Sequence, residues 1–174
     1  MKARSLAAVW FATAALAVAT AALAGCGGSG GALDVARPDG PRTVTAPVIR
    51  AVDGDTILVR LDGQAEYVRY IGVDTPETVK PDTPVQCYGP QASTFNHRRT
   101  DGQTVRLVFD RERQDVYGRL LAYVYRGNDF LNADLARRGL ARPLTIPPNT
   151  AHEALFAQLS RQAGRAGRGL WGKC

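Results

Sequence analysis

The sequence predicts an α+β domain, mainly β: a small barrel of five strands with about three helices. Three observations predict it. Five short runs rich in β-branched and aromatic residues are separated by Gly- and Asp-containing turns. Three other stretches carry helix-start, helix-stop or 3.6-residue apolar signals. No internal repeat competes with this reading.

Residues 44–52 form the first β-rich run, which Asp53-Gly54-Asp55 interrupts. A second strand follows over 56–61, and Asp62-Gly63 is a strong two-residue hairpin signal before the return strand 66–71, which ends at Gly72. Asp74-Thr75-Pro76-Glu77 cannot continue a regular strand, and Pro76, Pro81, Pro84 and Pro90 mark a long loop. Strands over 104–109 and 119–125 are joined by a charged connection. The first helix starts near Pro90, a good first-turn residue, and runs to about Arg99. The second covers 131–138 and stops at Gly139, with Arg137 and Arg138 in the favourable last turn. The third begins at Thr150, where Thr150-Ala-His-Glu153 matches a capping box, and Leu155, Phe156, Leu159 and Ala163 fall on one face. Gly-interrupted hairpins with inserted and appended helices suit a barrel of the oligonucleotide-binding type.

The chain has 174 residues, 45% hydrophobic and 22% charged, which excludes wholesale disorder and collagen-like repeats and leaves room for one sizeable core. Its net charge of +6 suits a polyanion or an anionic membrane surface without choosing between them. The charge is unevenly spread. Residues 26–134 hold 13 Lys+Arg against 15 Asp+Glu, whereas residues 135–174 hold 7 against 1.

The N-terminus reads as an address. Lys2 and Arg4 precede an uncharged, mostly apolar run over 6–24, the pattern of an export signal. Leu23-Ala24-Gly25-Cys26 resembles a bacterial lipobox, after which Cys26 becomes the lipid-bearing first residue. An uncleaved anchor and plain secretion are the alternatives. The expected organisation is a lipoprotein signal over 1–25, lipidated Cys26 with a flexible tether over 26–41, and a folded domain over 42–174. The product is held on the outer face of the cytoplasmic membrane or released. With Cys26 so used, Cys87 and Cys174 remain, and two thiols in an exported chain most often pair; two free thiols are the alternative. Nothing resembles a zinc site.

Chemistry-bearing residues concentrate outside the expected core. Asp53-Gly54-Asp55 and Asp74-Thr75-Pro76-Glu77 each place two carboxylates at a turn. Oxygen ligands without thiolate or imidazole suit a hard cation such as Ca²⁺ if the two segments converge; taken singly, each segment reads first as turn or cap residues. Arg69 precedes the second segment, and Asp115-Val-Tyr-Gly-Arg119 opens another strand. Arginines fixed beside a metal point to phosphoryl chemistry, while most arginines here read as surface residues.

These strings resemble the staphylococcal nuclease (thermonuclease) family. The matching segments are Val52-Asp-Gly-Asp-Thr-Ile57, Val68-Arg-Tyr-Ile-Gly-Val-Asp-Thr-Pro-Glu77, Tyr88-Gly-Pro-Gln-Ala92 and Asp115-Val-Tyr-Gly-Arg119. Leu121-Ala-Tyr-Val-Tyr125, Arg138-Gly-Leu-Ala141, His152-Glu153 and Gly169-Leu-Trp171 follow in family order, so the likeness spans about residues 44–172. The resemblance implies a Ca²⁺-dependent phosphodiesterase acting as a monomer on DNA and RNA, preferring single strands or loosened duplex, and leaving 3′-phosphate products. It implies that Asp55 and Asp74 bind Ca²⁺ through side chains and Thr75 through its carbonyl, with Asp53 supporting. Glu77 would orient or deprotonate water, Arg69 and Arg119 would grip the scissile phosphate, and Tyr117 would bond a terminal phosphate. The membrane is a partner only through the lipid.

Two departures temper that expectation. Over 143–149 the family archetype carries a tyrosine pair against the nucleotide, and this chain has no aromatic there. A lost base–aromatic stack costs about 1–3 kcal/mol, so weaker substrate binding is expected. Val116 stands where the archetype has a lysine near phosphate, and the archetype has no counterpart of Cys87 and Cys174. The competing expectation is a catalytically weak or inactive barrel that binds oligonucleotides at the envelope. His97, His152, Trp171, Tyr123 and Tyr125 read as structural or solvated.

Overall fold

A computed structural model describes residues 42–79 and 81–174. The expected export signal, Cys26 and the tether lie outside the described residues. The elements in chain order are β1 (Thr43–Ala51), β2 (Thr56–Leu61), β3 (Gln64–Tyr70), β4 (Gly72–Asp74), α1 (Gly89–Thr100), β5 (Thr104–Val108), β6 (Leu120–Arg126), β7 (Asp129–Phe130), α2 (Leu131–Arg138), β8 (Arg142–Leu144), α3 (Glu153–Arg165) and α4 (Leu170–Lys173).

Five of these strands close the expected barrel. Their order is β3-β2-β1-β5-β6, and a parallel pairing of β3 with β6 joins the ends. The β2–β3 hairpin turns on Asp62 (φ 50°) and Gly63 (φ 82°), the double positive φ of a type I′ turn. Strand β1 serves two neighbours. Its first half, Thr43–Pro47, pairs with β5 and its second with β2, and the pairing with β2 carries an irregularity between Val48 and Arg50. That bulge explains the burial pattern: Ala46 and Val48 point inward two apart, and the next inward residue is Ala51, three further on. Ile57, Val59, Val68, Tyr70, Val105, Leu107, Leu120, Ala122 and Val124 complete the barrel interior.

Helix α2 ends as its sequence demands. Gly139 takes φ 69°, its N–H donates to Ala136 O, and the Leu140 N–H reaches Leu135 O at 2.9 Å, a Schellman closure. The capping box expected at Thr150 does not form. The helix starts at Glu153 with His152 as N-cap and no side-chain cap bond. Asp110 takes the Ala151 N–H instead, at 3.1 Å, so the turn is pinned from the barrel end. The His152 ring packs edge-on against Tyr123, 4.5 Å between centroids, and against Phe130.

Three buried asparagines stitch helices and loops to the barrel. Asn132 of α2 accepts from Val124 N and donates to Ile71 O, both at 2.8 Å. Asn149 exchanges two bonds with the Glu112 backbone, and Asn96 of α1 donates to Asp53 O and accepts from the Tyr70 hydroxyl. Truncating Asn132 to alanine orphans two buried backbone groups. Urea unfolding of Asn132→Ala is expected to show a loss of about 2–6 kcal/mol, at about 1–3 per unpaired group. A loss below half a kcal/mol, roughly the scatter of surface substitutions, contradicts this role. Cys87 and Cys174 are joined, tying the residue before Tyr88, the N-cap of α1, to the last residue of the chain.

Candidate active site

The two carboxylate segments converge, and a glycine makes this possible. A Cβ at Gly54 would lie 2.6 Å from Thr75 Oγ1 and 2.8 Å from Thr75 Cβ, so only glycine lets the Asp53–Asp55 turn lie against the loop after β4. The turn is fixed from within by the Asp55 N–H donating to Asp53 Oδ1 at 3.0 Å. It is fixed from outside by Asn96.

Asp55 is 4% exposed. Its Oδ2 accepts from Thr75 N at 2.7 Å and Thr75 Oγ1 at 2.9 Å, and pairs with Arg69 Nη1 at 3.0 Å. Arg69 stands opposite Thr56 on β3, and its largely buried guanidinium serves four acceptors. Nη1 also donates to Tyr70 O and Val73 O, and Nη2 bonds Asp74 Oδ1 at 2.8 Å. Asp74 ends β4, whose pairing with β8 sets it opposite Arg142, and its carboxylate is half-exposed. One guanidinium therefore holds Asp55 and Asp74 on either side, with Asp53 and Thr75 packed beside them.

Charge in this cluster is under-compensated. Burial pushes the Asp55 carboxyl up to about 7 against the pull of Arg69; Asp53 adds to the rise, and the Thr75 hydrogen bonds oppose it. Three carboxylates facing one arginine make a site that gains from a further positive charge. Asp55 and Asp74 offer hard carboxylate oxygens, a donor chemistry that fits a divalent cation. Among the described residues no group of three or more His, Cys, Asp or Glu side chains gathers as a metal cage. A cation held here would complete its shell with water.

Glu77 follows two residues after Thr75. Its Oε1 accepts from Thr78 N at 2.8 Å and Val79 N at 2.9 Å, and its own N–H donates to the Gln86 side chain. The loop is closed again by Gln86 N to Glu77 O at 2.9 Å. The Asp115–Arg119 turn is organised by Asp115, which accepts from Tyr117 N and Arg119 N and holds Arg119 Nε at 2.7 Å. Because Arg69 pairs with Leu121 in the parallel β3–β6 ladder, Arg119 lies two residues before that partner, on the same face. Tyr117 is 81% exposed, its ring 5.6 Å from the Arg119 guanidinium carbon.

The structure thus brings Asp53, Asp55, Arg69, Asp74 and Thr75 into one bonded cluster. Glu77 continues its loop, and Tyr117 and Arg119 stand on a separate turn at the adjoining strand. Sequence reasoning assigned no role to Asp115, although its spacing from Arg119 across Gly118 was the available signal. It also missed Arg142, which only the three-residue β4–β8 pairing reveals. His97 pairs with Asp101 and His152 joins the aromatic cluster, away from this chemistry.

Comparison with known proteins agrees with the geometry. Residues 67–173 match the family model described as staphylococcal nuclease homologue. The chain is 51% identical over 124 residues to thermonuclease of Staphylococcus intermedius, covering 71% of this chain and 74% of that protein. It is 48% identical over 127 residues to thermonuclease of Staphylococcus hyicus, covering 73% and 75%. It is 40% identical over 134 residues to endonuclease YncB of Bacillus subtilis, covering 76% and 64%. With Asp55, Arg69, Asp74 and Arg119 set on a closed five-stranded barrel, the chain belongs to the staphylococcal nuclease homologue family.

Proposed function

We propose that this protein is a Ca²⁺-dependent endonuclease that hydrolyses DNA and RNA, favours single strands or loosened duplex, acts as a monomer and leaves 3′-phosphate ends. The chain is a phosphodiester-cleaving hydrolase by family, and the single observation that carries the finer reading is the Asp55–Arg69–Asp74 cluster. A buried carboxylate, a half-exposed one and an arginine between them form a place where a cation and a phosphate can meet.

Asp55, Asp74 and the Thr75 carbonyl would hold Ca²⁺, with Asp53 fixing the Asp55 backbone. When bound, the ion supplies Lewis-acid neutralisation of a non-bridging phosphate oxygen. Glu77 orients or deprotonates the attacking water, a role that depends on position. Arg69 and Arg119 hold the phosphate and stabilise the charge that accumulates as phosphorus becomes five-coordinate. A phosphorus–oxygen bond to water forms as the bond to the 5′ oxygen breaks, and that oxygen leaves with a proton. Tyr117, exposed on the Asp115–Arg119 turn, would bond a terminal phosphate. Labelled oligonucleotide products test the polarity. They are expected to resist extension by a polymerase until a phosphatase removes the 3′ phosphate; products that extend directly contradict it.

The Asp55 carboxyl gives this reading a pH signature. Its folded pKa lies above its ordinary value, so the folded protein binds the proton more tightly than the unfolded chain. Asp55 therefore costs no stability below about pH 4, and the cost grows as pH rises to about 7 and is complete above it. A cation must displace that proton. Calorimetric Ca²⁺ affinity is expected to weaken by about tenfold per pH unit well below 7, with one proton released per ion. A flat affinity between about pH 5.5 and 7.5 contradicts it.

Export and lipidation at Cys26 belong to the same proposal. The lipobox-like Leu23-Ala24-Gly25-Cys26 supports an anchored enzyme on the outer face of the cytoplasmic membrane, or a released one. A binding-only barrel has one observation in its favour. Leu144 and Ile146 are exposed in the segment where aromatic residues are absent. Ca²⁺-dependent binding of oligonucleotides without product would favour that reading.

A further inference from the structure

A hollow that none of the cluster carboxylates lines runs along α1. It encloses about 540 Å³ and is lined by Pro90, Phe95, Arg98, Arg99 and Arg138 among others, none of them acidic. Phe95 forms its apolar wall, with the Arg138 guanidinium 5.3 Å above the ring. Arg99 and Arg126 share a single carboxylate, Asp129, so that trio is net positive. Arg99 Nε is buried with no hydrogen-bond acceptor. Among the described residues no carboxylate pairs with Arg98 or Arg138. The groove therefore combines three guanidinium groups with a ring face and has no acid of its own.

Pro90, which lines the near end of the groove, follows Gly89, where the start of α1 abuts the Glu77 loop. A Cβ at Gly89, the first residue of α1, would lie 2.7 Å from Thr78 Cγ2 and 3.0 Å from Glu77 O, so the helix springs directly from that loop. Its 12 residues then extend for about 18 Å. Pro90 sits at the near end and Arg98 and Arg99 at the far end. A single strand with its scissile phosphate at the cluster and its flank laid along α1 would meet the arginines with successive phosphates. A base could meet Phe95. The arrangement is the one that binds single strands without reading sequence: a positive groove with an aromatic platform.

We infer that the α1 groove of Phe95, Arg98, Arg99 and Arg138 is a second nucleic-acid contact that holds the strand flanking the cleavage site. The inference rests on the nuclease reading for its occupant but not for its test, which is binding. A concave groove with an aromatic wall favours a polynucleotide over a flat anionic lipid surface.

The test uses the purified full chain in chelator with a labelled oligothymidylate of about 20 nucleotides. Arg98→Ala/Arg138→Ala is expected to weaken the Kd by about tenfold or more and to reduce the slope of log K against log salt by about 1.4, at about 0.7 per phosphate contact. Arg161→Ala/Arg165→Ala on α3 removes equal charge elsewhere and is expected to change neither. Circular dichroism melting checks that both variants fold. In cleavage assays the Arg98/Arg138 variant should raise KM on the long strand while kcat, and hydrolysis of a dinucleotide, stay unchanged. An unchanged Kd, an equal loss in both double variants, or binding to phosphatidylglycerol vesicles but not to the oligonucleotide overturns the inference. Binding that depends on Arg98 and Arg138 in a protein that cleaves nothing supports the groove and overturns the catalytic reading.

Discussion

Arg119→Ala will lower kcat on denatured DNA by about a hundred- to a thousandfold, the usual consequence of removing one preorganised donor from a developing oxyanion. The reason lies in how Asp115 holds the side chain. Asp115 spends one oxygen on the Tyr117 and Arg119 backbone N–H groups and the other on Arg119 Nε. Among the described residues no acceptor takes the two terminal nitrogens, so a rigid fork is presented outward for two phosphate oxygens. The loss should fall equally on kcat and kcat/KM, because the contact matters most when charge accumulates in the transition state. Arg119→Lys should recover little, since an ammonium cannot reproduce the fork. The melting temperature should barely move, since Asp115 keeps both backbone bonds. A normal kcat in Arg119→Ala contradicts the role.

The second large effect concerns stability. Replacing both Cys87 and Cys174 with serine will cost about 4–5 kcal/mol in the chain-entropy account of a cross-link, given a separation of 87 residues. The consequences should be local as well as global. Cys87 follows Gln86, which bonds the Glu77 backbone in both directions, and precedes α1. The other end of the bridge ties down α4. Urea midpoints should fall by the same amount in the double variant and in the reduced wild type, and reductant should do nothing further to the variant. Equal midpoints with and without reductant would show that packing alone holds the chain end.

Elements with strong local signals were legible in the sequence. Asp62-Gly63 specifies its hairpin because few other pairs tolerate positive φ twice, and Gly139 stops α2 for the same steric reason. The five long strands and three main helices lie within a few residues of expectation. The short β4, β7, β8 and α4 were not legible, since two to four residues carry no periodicity. The Thr150 capping box failed because a distant partner, Asp110, competes for the same turn, and no local pattern records such a partner.

The candidate site divides along the same line. Asp55, Arg69, Asp74, Glu77 and Arg119 could be singled out as residue types in order, but their convergence depends on contacts far apart in sequence. Gly54 touching Thr75 and the parallel β3–β6 closure are such contacts. Arg138 shows the converse. In the sequence it reads as a basic residue favouring a helix end, whereas in the fold it stacks over Phe95 of another helix and helps line the α1 groove. The positive excess of residues 135–174 thus acquires a location in part.

The most direct measurement is cleavage of heat-denatured DNA by the purified full chain with Ca²⁺, with chelator, and with Ca²⁺ restored after chelator. Fragments are expected with Ca²⁺, none with chelator, recovery on restoration, and no recovery for Glu77→Gln. Cleavage that persists undiminished in chelator, or none at any Ca²⁺ concentration, would contradict Ca²⁺-dependent hydrolysis.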